Sequence, residues 1–199
     1  LEMASLGAQV MQPRSIEVAK KFNVPLHVRS SFNTKSGTMI IKEVKKMEDV
    51  LVSGVTLNKN EAKITLCGVL DKPGIAVKLF KDLAVSGVSV DMIVQNVSHT
   101  RSTDISFTIA KADCAKASKI TKMVAKKIGA GDVLLDEDIA RVSIVGVGMK
   151  SHHGVAAKMF GILADNAINI EMISTSDISI SCIIKKKDAE IAVKKLHAD

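Results

Sequence analysis

Two spacings of apolar residues alternate along this chain. Over 62–69 and 88–97 apolar and polar side chains alternate, the period of a strand with one buried face. Between them Ala76, Leu79, Phe80 and Leu83 recur at i, i+3, i+4 and i+7, which predicts a helix over 73–86 lying on a core. A strand over 104–110 follows, then a helix over 115–128, opened by Asp113 and ended by Gly129-Ala130-Gly131. Residues 133–135 make a short last strand. The order βαββαβ predicts an α+β unit, an antiparallel sheet with both helices on one face.

From Arg141 the same order begins again. A strand, a helix over 153–166, strands over 168–173 and 178–184 and a helix over 188–197 are predicted. Gly74 and Gly154, Phe80 and Phe160, Leu83 and Leu163, and Met92 and Met172 all stand 80 residues apart, so the chain carries an internal duplication. The second copy lacks its fourth strand, which would leave a bare edge beside its first. An unassigned strand over 50–57, followed by the turn Asn58-Lys59-Asn60, is the spare that can fill it. The expected organisation is a first unit over 61–137, inserted into a second made of 47–58 plus 138–199. Residues 1–46 hold Met3, Leu6, Val10 and Met11 at helical spacing, a helix over 16–22 capped by Ser15, a break at Asn23-Val24-Pro25, a short strand over 26–29 and a polar loop over 30–38. They carry too little apolar surface for a core of their own and look like the end of another domain.

Composition sharpens this picture. With 47% hydrophobic residues but five Phe, no Trp and no Tyr, the core must be aliphatic and Met-filled. The formal charge of +7 permits weak affinity for acidic partners, but the basic residues fall in groups at 42–46, 116–127 and 185–195 that read as solvated faces. On the second of these, Lys116, Lys119, Lys122, Lys126 and Lys127 line one helix. Cys67, Cys114 and Cys182 have no CxxC spacing, and Cys67 and Cys182 sit in apolar strand patterns, as buried thiols in a reducing compartment do. No apolar run approaches the ~20 residues that span a bilayer, and no charged-then-apolar signal pattern opens the sequence. The expectation is a cytoplasmic protein with no membrane partner.

The candidate chemistry lies in the repeated turns at 70–80 and 150–160. Gly74 lets a backbone approach a ligand, and the amides that open the following helix present unsatisfied donors and positive dipole charge to a carboxylate. Asp71 can accept an ammonium group. On the next strand Val88, Val90, Met92 and Val94 are expected on one face, with Asp91 and Gln95 on the other. A carboxylate donor set beside an ammonium acceptor describes an amino-acid site. The same residues also read more plainly: Asp71 as a turn residue, Pro73 as a helix starter and Asp91 as a solvated strand residue. The second copy keeps Gly154, replaces the aspartate by Ser151, and retains an acid at Glu171. His152-His153 has no third ligand at a useful spacing, so no metal site is expected. Gly146-Val147-Gly148 lacks the third glycine of a dinucleotide loop, no GxxxxGK[ST] occurs, and no nucleophile and base stand at a catalytic spacing. RNA-recognition domains share the βαββαβ order but need exposed strand aromatics, and Phe107 is the only aromatic on a strand of the repeats, so no nucleic-acid partner is expected.

The segments 70–80, 90–98, 145–152 and 173–176 closely resemble the paired ACT domains of bacterial aspartate kinases. The stretches Ala4-Ser5-Leu6-Gly7-Ala8, Gln12-Pro13-Arg14-Ser15 and Val28-Arg29-Ser30-Ser31-Phe32 look like the last part of that family's catalytic domain. The resemblance covers essentially the whole chain. It implies two ferredoxin-like ACT domains behind a kinase-domain remnant, as in the regulatory part that two-ACT, lysine-pathway members also make as a separate β subunit. A standalone amino-acid sensor acting on an enzyme encoded elsewhere is the other ACT-type alternative. The family phosphorylates the β-carboxylate of aspartate with ATP and Mg. Its nucleotide motif Lys-Phe-Gly-Gly-Thr is absent here, so this stretch alone is expected to be inactive, without catalytic residue or cofactor. The resemblance also implies homodimerisation through ACT domains, a catalytic α subunit or kinase domain as partner, and feedback amino acids held between chains. A threonine-type pocket would use Asp71, Lys72, Pro73, Gly74, Ile75, Ala76 and Gln95, closed by Asn169 and Ile170 of a second chain. A lysine-type pocket would use Asp91, Asn96, Ser98, Gly154, Val155, Ala156, Thr175, Ser176 and Asp177. The chain departs from the family pattern at His153, where Pro is usual, at Ala156, where some lysine-binding members have Thr, and at Asp177, where Glu is common.

Overall fold

The computed structural model describes residues 1–8, 10–41, 52–96, 102–146, 149 and 154–198. After an irregular helical turn at Ala4–Ala8 come helix α1 (Pro13–Lys21) and a ribbon of β1 (Leu26–Val28) and β2 (Thr38–Ile40). The rest runs β3 (Gly54–Asn58), β4 (Glu61–Leu70), α2 (Ile75–Val85), β5 (Val90–Gln95), β6 (Ser102–Ala110), α3 (Cys114–Ile128) and β7 (Val133–Asp136). It continues with β8 (Ile139–Val145), α4 (Val155–Asp165), β9 (Ile170–Thr175), β10 (Ser179–Lys185) and α5 (Ala189–Ala198).

The strands form two antiparallel four-stranded sheets, β5-β6-β4-β7 and β9-β10-β8-β3. β3 pairs with β8 from Gly54 opposite Val145 to Asn58 opposite Arg141, the edge that β7 fills beside β4 in the first sheet. It starts at Gly54 rather than at residue 50; residues 50 and 51 lie outside the described set.

Each sheet packs its helices on one face. In the first, Ile64 and Leu66 of β4 and Ile105, Phe107 and Ile109 of β6 meet Leu79 and Leu83 of α2 and Val124 of α3. Phe80 meets Phe107 edge-on, with ring centroids 5.5 Å apart. In the second, Val142, Ile144, Ile180 and Cys182 meet Met159, Leu163 and Leu196. The predicted aliphatic core is what is found. All three cysteines are free thiols, with Cys114 and Cys182 buried, and burial pushes the Cys182 thiol up to about 12.

The two predicted helix starts shift. α2 begins at Ile75 and α4 at Val155, because Gly74 (φ 87°) and Gly154 (φ 97°) are left-handed and stand outside the helices as their N-caps. Neither Asp113 nor Ser15 caps as expected. Asp113 ends a short 3-10 turn without a side-chain cap bond, and α1 starts two residues before Ser15 with Pro13 at its first position.

The sheet faces away from the helices cover one another. Met92, Ile139, Met172 and Ile183, two from the edge strands and two from β8 and β10, form a small cluster there. All seven residues of β8 are therefore buried, an unusual state for a strand of an antiparallel sheet with helices on one side only. The N-terminal segment lies against β3: a Cβ at Gly7 would stand 2.6 Å from the Leu57 carbonyl oxygen, and Ser179 Oγ donates to Glu2 at 3.1 Å. In α1 only Ala19 is buried, while Val18, Phe22 and Phe32 are exposed.

Leu83 and Leu163 occupy repeat-related positions and are both 0% exposed. Truncating either to Ala is expected to cost about 2–5 kcal/mol, read as a lower urea midpoint at unchanged slope. A loss under about 1 kcal/mol at either position would mean that its core is not packed as described.

Candidate binding site at the repeated helix start

The chain leaves β4 through a tight turn. Lys72 N–H donates to Leu70 O at 2.9 Å, and Lys78 N–H donates to Gly74 O at 3.2 Å to close the first turn of α2. At the second copy Lys158 N–H reaches Gly154 O at 2.8 Å. Neither helix start has a side-chain cap, so first-turn amides are left for an outside acceptor at the positive end of the helix dipole. A Cβ at Gly74 or Gly154 would meet nothing within 4 Å. Glycine is thus demanded by the left-handed backbone and not, as expected, by a close approach. Asp71, Lys72, Pro73 and Gly74 are exposed, and Ile75 and Ala76 half-buried.

Topology decides which predicted residues come near this turn. β4 and β5 flank β6 and are both antiparallel to it, so they run parallel and end at the same end of the sheet. Gln95 and Asn96 therefore stand at the end where α2 begins. By the same logic Thr175, Ser176 and Asp177 stand at the end where Gly154, Val155 and Ala156 open α4. Ser176 and Ser179 hold that hairpin through N–H to O and hydroxyl contacts, both at 2.8 Å. Asn169 and Ile170 lie at the opposite end, at the start of β9. Ser98, His152 and His153 lie outside the described residues.

The face assignment on β5 needs correcting. Val90 stands opposite Ile109 but Ile93 opposite Phe107, so one extra residue is accommodated between them. Met92 N–H donates to Thr108 Oγ1 at 3.0 Å across this bulge. Beyond it the alternation is reversed: Val94 stands opposite Ser106, and Gln95 opposite the core residue Ile105. Gln95 is therefore on the helix side of the sheet, Asp91 and Met92 on the other, and the single face expected for Asp91 with Gln95 does not exist. β9 carries the matching irregularity, which puts Thr175 opposite Ile180.

Asp91 is already engaged. Arg141 of β8, 2% exposed, reaches Glu61 of β4 at 2.6 Å and also donates to Asp91. Asn58, the last residue of β3, donates to the same Glu61 oxygen at 2.7 Å. Alongside, Lys63 and Lys185 both pair with Glu171, and Lys185 also holds Asp136 at 2.7 Å. Glu61 and Arg141, Asp91 and Glu171, and Met92 and Met172 are each 80 residues apart, so the junction is built around an approximate twofold relation between the copies. Burial pushes the Glu61 carboxyl up from 4.5 to about 7, with Arg141 opposing and the charge of Asp91 adding. Burial would raise Glu171 too, but hydrogen bonds from Lys63 and Lys185 hold it below the usual carboxylate value. Glu61, Lys63 and Arg141 are not among the site residues expected from the sequence. The signal was the exchange of acid for base at the repeat-related positions 61 and 141.

The ACT domain family model matches residues 64–122 and 142–199. The chain belongs to the ACT-domain family. Over 198 residues it is 50% identical to an aspartate kinase of Pseudomonas putida, covering 99% of this chain and 48% of that protein, so it spans about half the length of the curated relatives it matches. The ligand-free regulatory subunit of aspartate kinase from Thermus thermophilus is 43% identical, with a TM-score of 0.72 over 75% of this chain and 98% of that one. The complex of E. coli aspartokinase III with lysine and aspartate, described as a T-state, is 26% identical, with a TM-score of 0.74 over 99% of this chain and 43% of that one. The ACT pair is thus of the aspartate kinase regulatory type.

The raised Glu61 carboxyl has a consequence for this ACT pair. Between pH 4.5 and about 7 the folded state holds a proton that the unfolded state has released, so this group's contribution is full below 4.5 and is lost as pH rises to about 7. Asp136 and Glu171, both lowered, act in the other direction, losing their contribution as pH falls through their folded-state values. Glu61→Gln is expected to remove the first dependence alone, seen as a flatter denaturation midpoint from pH 5 to 7. An unchanged profile in that window would refute the assignment.

Proposed function

We propose that this chain is the allosteric part of an aspartate kinase and that it binds threonine, with lysine as a second effector, between ACT units of two copies. The observation that carries this is the twice-built helix start: glycine-opened, without a side-chain cap, and at the same sheet end as the polar residues closing an edge strand. A free amino acid supplies the carboxylate that such a start lacks, and Asp71 is an exposed acceptor for its ammonium group. β5 and β9 are the outer edges of their sheets and expose Ile93, Val94 and Ile173. Edge pairing with a second copy would cover them and bring that copy's Asn169 and Ile170 to the Asp71–Ala76 turn. The lysine in the E. coli aspartokinase III complex supports an amino-acid effector for this type of ACT pair.

In this reading ATP-dependent phosphorylation of the aspartate β-carboxylate, the entry to lysine, threonine and methionine synthesis, belongs to a catalytic domain or α subunit outside this stretch, with ATP and Mg bound there. The exposed apolar side chains of α1 and its neighbours are the contact toward it. No described helix is long and apolar enough to cross a membrane, and the metabolic role places the protein in the cytoplasm. An effector that binds only the paired state stabilises it by mass action, by about 2.7 kcal/mol at one hundred times its Kd. Inhibition follows where that state couples differently to the catalytic part.

Titration calorimetry with threonine and with lysine, alongside light scattering on a sizing column, tests this. Threonine is expected to release or absorb heat, raise the dimer fraction and raise the melting temperature. Asp71→Ala is expected to weaken threonine at least about tenfold while leaving the ligand-free melting temperature unchanged, because Asp71 is exposed. No heat and no shift with either amino acid would sink the proposal.

A further inference from the structure

Arg141 ties the two units together away from the Gly74 helix start. It is on β8 of the second unit, yet its guanidinium joins three pieces of chain. Glu61 at the start of β4 pairs at 2.6 Å, Asp91 on β5 takes a second nitrogen, and Asn58 backs Glu61 from the end of β3. Glu61 is 5% exposed, and its second oxygen, like Nε of Arg141, finds no hydrogen-bond partner among the described residues. A buried carboxyl and guanidinium with unmet hydrogen-bonding capacity are poor stabilisers of a fold, but they fix geometry well. The pair lies at the bulge. Asp91 and Met92 both point across the junction, the first to Arg141 and the second into the cluster with Ile139, Met172 and Ile183. Only because two successive residues are drawn to the same side does the alternation reverse, leaving Gln95 opposite Ile105 on the side from which α2 starts.

We infer that Arg141 is a positioning residue for the first unit's effector site: by holding Asp91 it fixes the β5 bulge that turns Gln95 toward the Gly74 helix start. This rests on the effector role proposed above for that start. It makes the occupancy of one unit's site depend on the orientation of the other unit, since Arg141 moves with β8. It also assigns Asp91 a tie within the chain in place of direct contact with effector ammonium.

Two variants separate this from a general loss of stability. Glu61→Gln/Arg141→Met removes both buried ionisable groups together and leaves only the half-exposed Asp91 without its partner, so no unpaired buried charge remains and the chain is expected to melt close to the parent. Asp91→Ala cuts the same tie from its half-exposed end. Each is expected to weaken threonine binding about tenfold by calorimetry. Each is also expected to speed amide exchange at Met92 and Ile93 about tenfold, with α4 amides unchanged. Parental threonine affinity in either variant, or parental exchange at Met92 in both, overturns the inference. A parent chain that binds no threonine sinks the proposed function instead, and the exchange measurement still decides whether Arg141 holds the bulge.

Discussion

A sheet that carries both its helices on one face has a second face to cover, and in this chain the two sheets cover each other. Everything distinctive about the structure follows from that contact. It buries β8 on both sides, it brings Met92 and Met172 into one cluster, and it gathers charges from β4, β5, β8, β9 and β10 along one seam, with Glu61 and Arg141 buried in it. A guanidinium in such a place costs several kcal/mol unless acids meet it, so the position of Arg141 constrains Glu61 and Asp91 as firmly as they constrain it. The two units are therefore joined by polar geometry as much as by apolar area.

The duplication explains why this works. Around an approximate twofold relation, a residue of one copy faces its own counterpart in the other. Had position 141 kept the acid of position 61, two buried carboxylates would repel across the junction. Arginine at 141 makes a pair there instead, and Asp91 and Glu171, the next related couple, each find a cation from the opposite unit, Arg141 and Lys63. The Met positions needed no such change, because apolar residues pack against their own kind.

How much of this was legible depends on the range of the interaction. Local signals were clear: the stripe Ala76, Leu79, Phe80 and Leu83 reads as a buried helix face, and Gly74 and Gly154 mark the repeated turn, although the reason for glycine there is the left-handed backbone and not the close approach expected. The pairing of β3 with β8 was open to a counting argument, since one strand was spare and one edge was bare. The bulge was not legible. Val88, Val90, Met92 and Val94 alternate without a break, whereas the interruption lies where Thr108 accepts the Met92 amide and where Arg141, fifty residues on, meets Asp91. Arg141 itself reads as the first charged residue of an ordinary strand, and nothing local says that it is buried.

The same distinction runs through the site. The helix start is encoded within a few residues and recurs in both copies, so its chemistry could be read before its surroundings. Its neighbours could not, because a one-residue change of register on β5 moves Gln95 from one face of the sheet to the other. In the proposed reading the carboxylate-binding half of the site is thus a local property of each repeat, whereas the side chain that would read the rest of the ligand is placed by the opposite unit. If the proposed effector role holds, a domain built this way would owe its general affinity for amino acids to the helix starts and its preference among them to the junction.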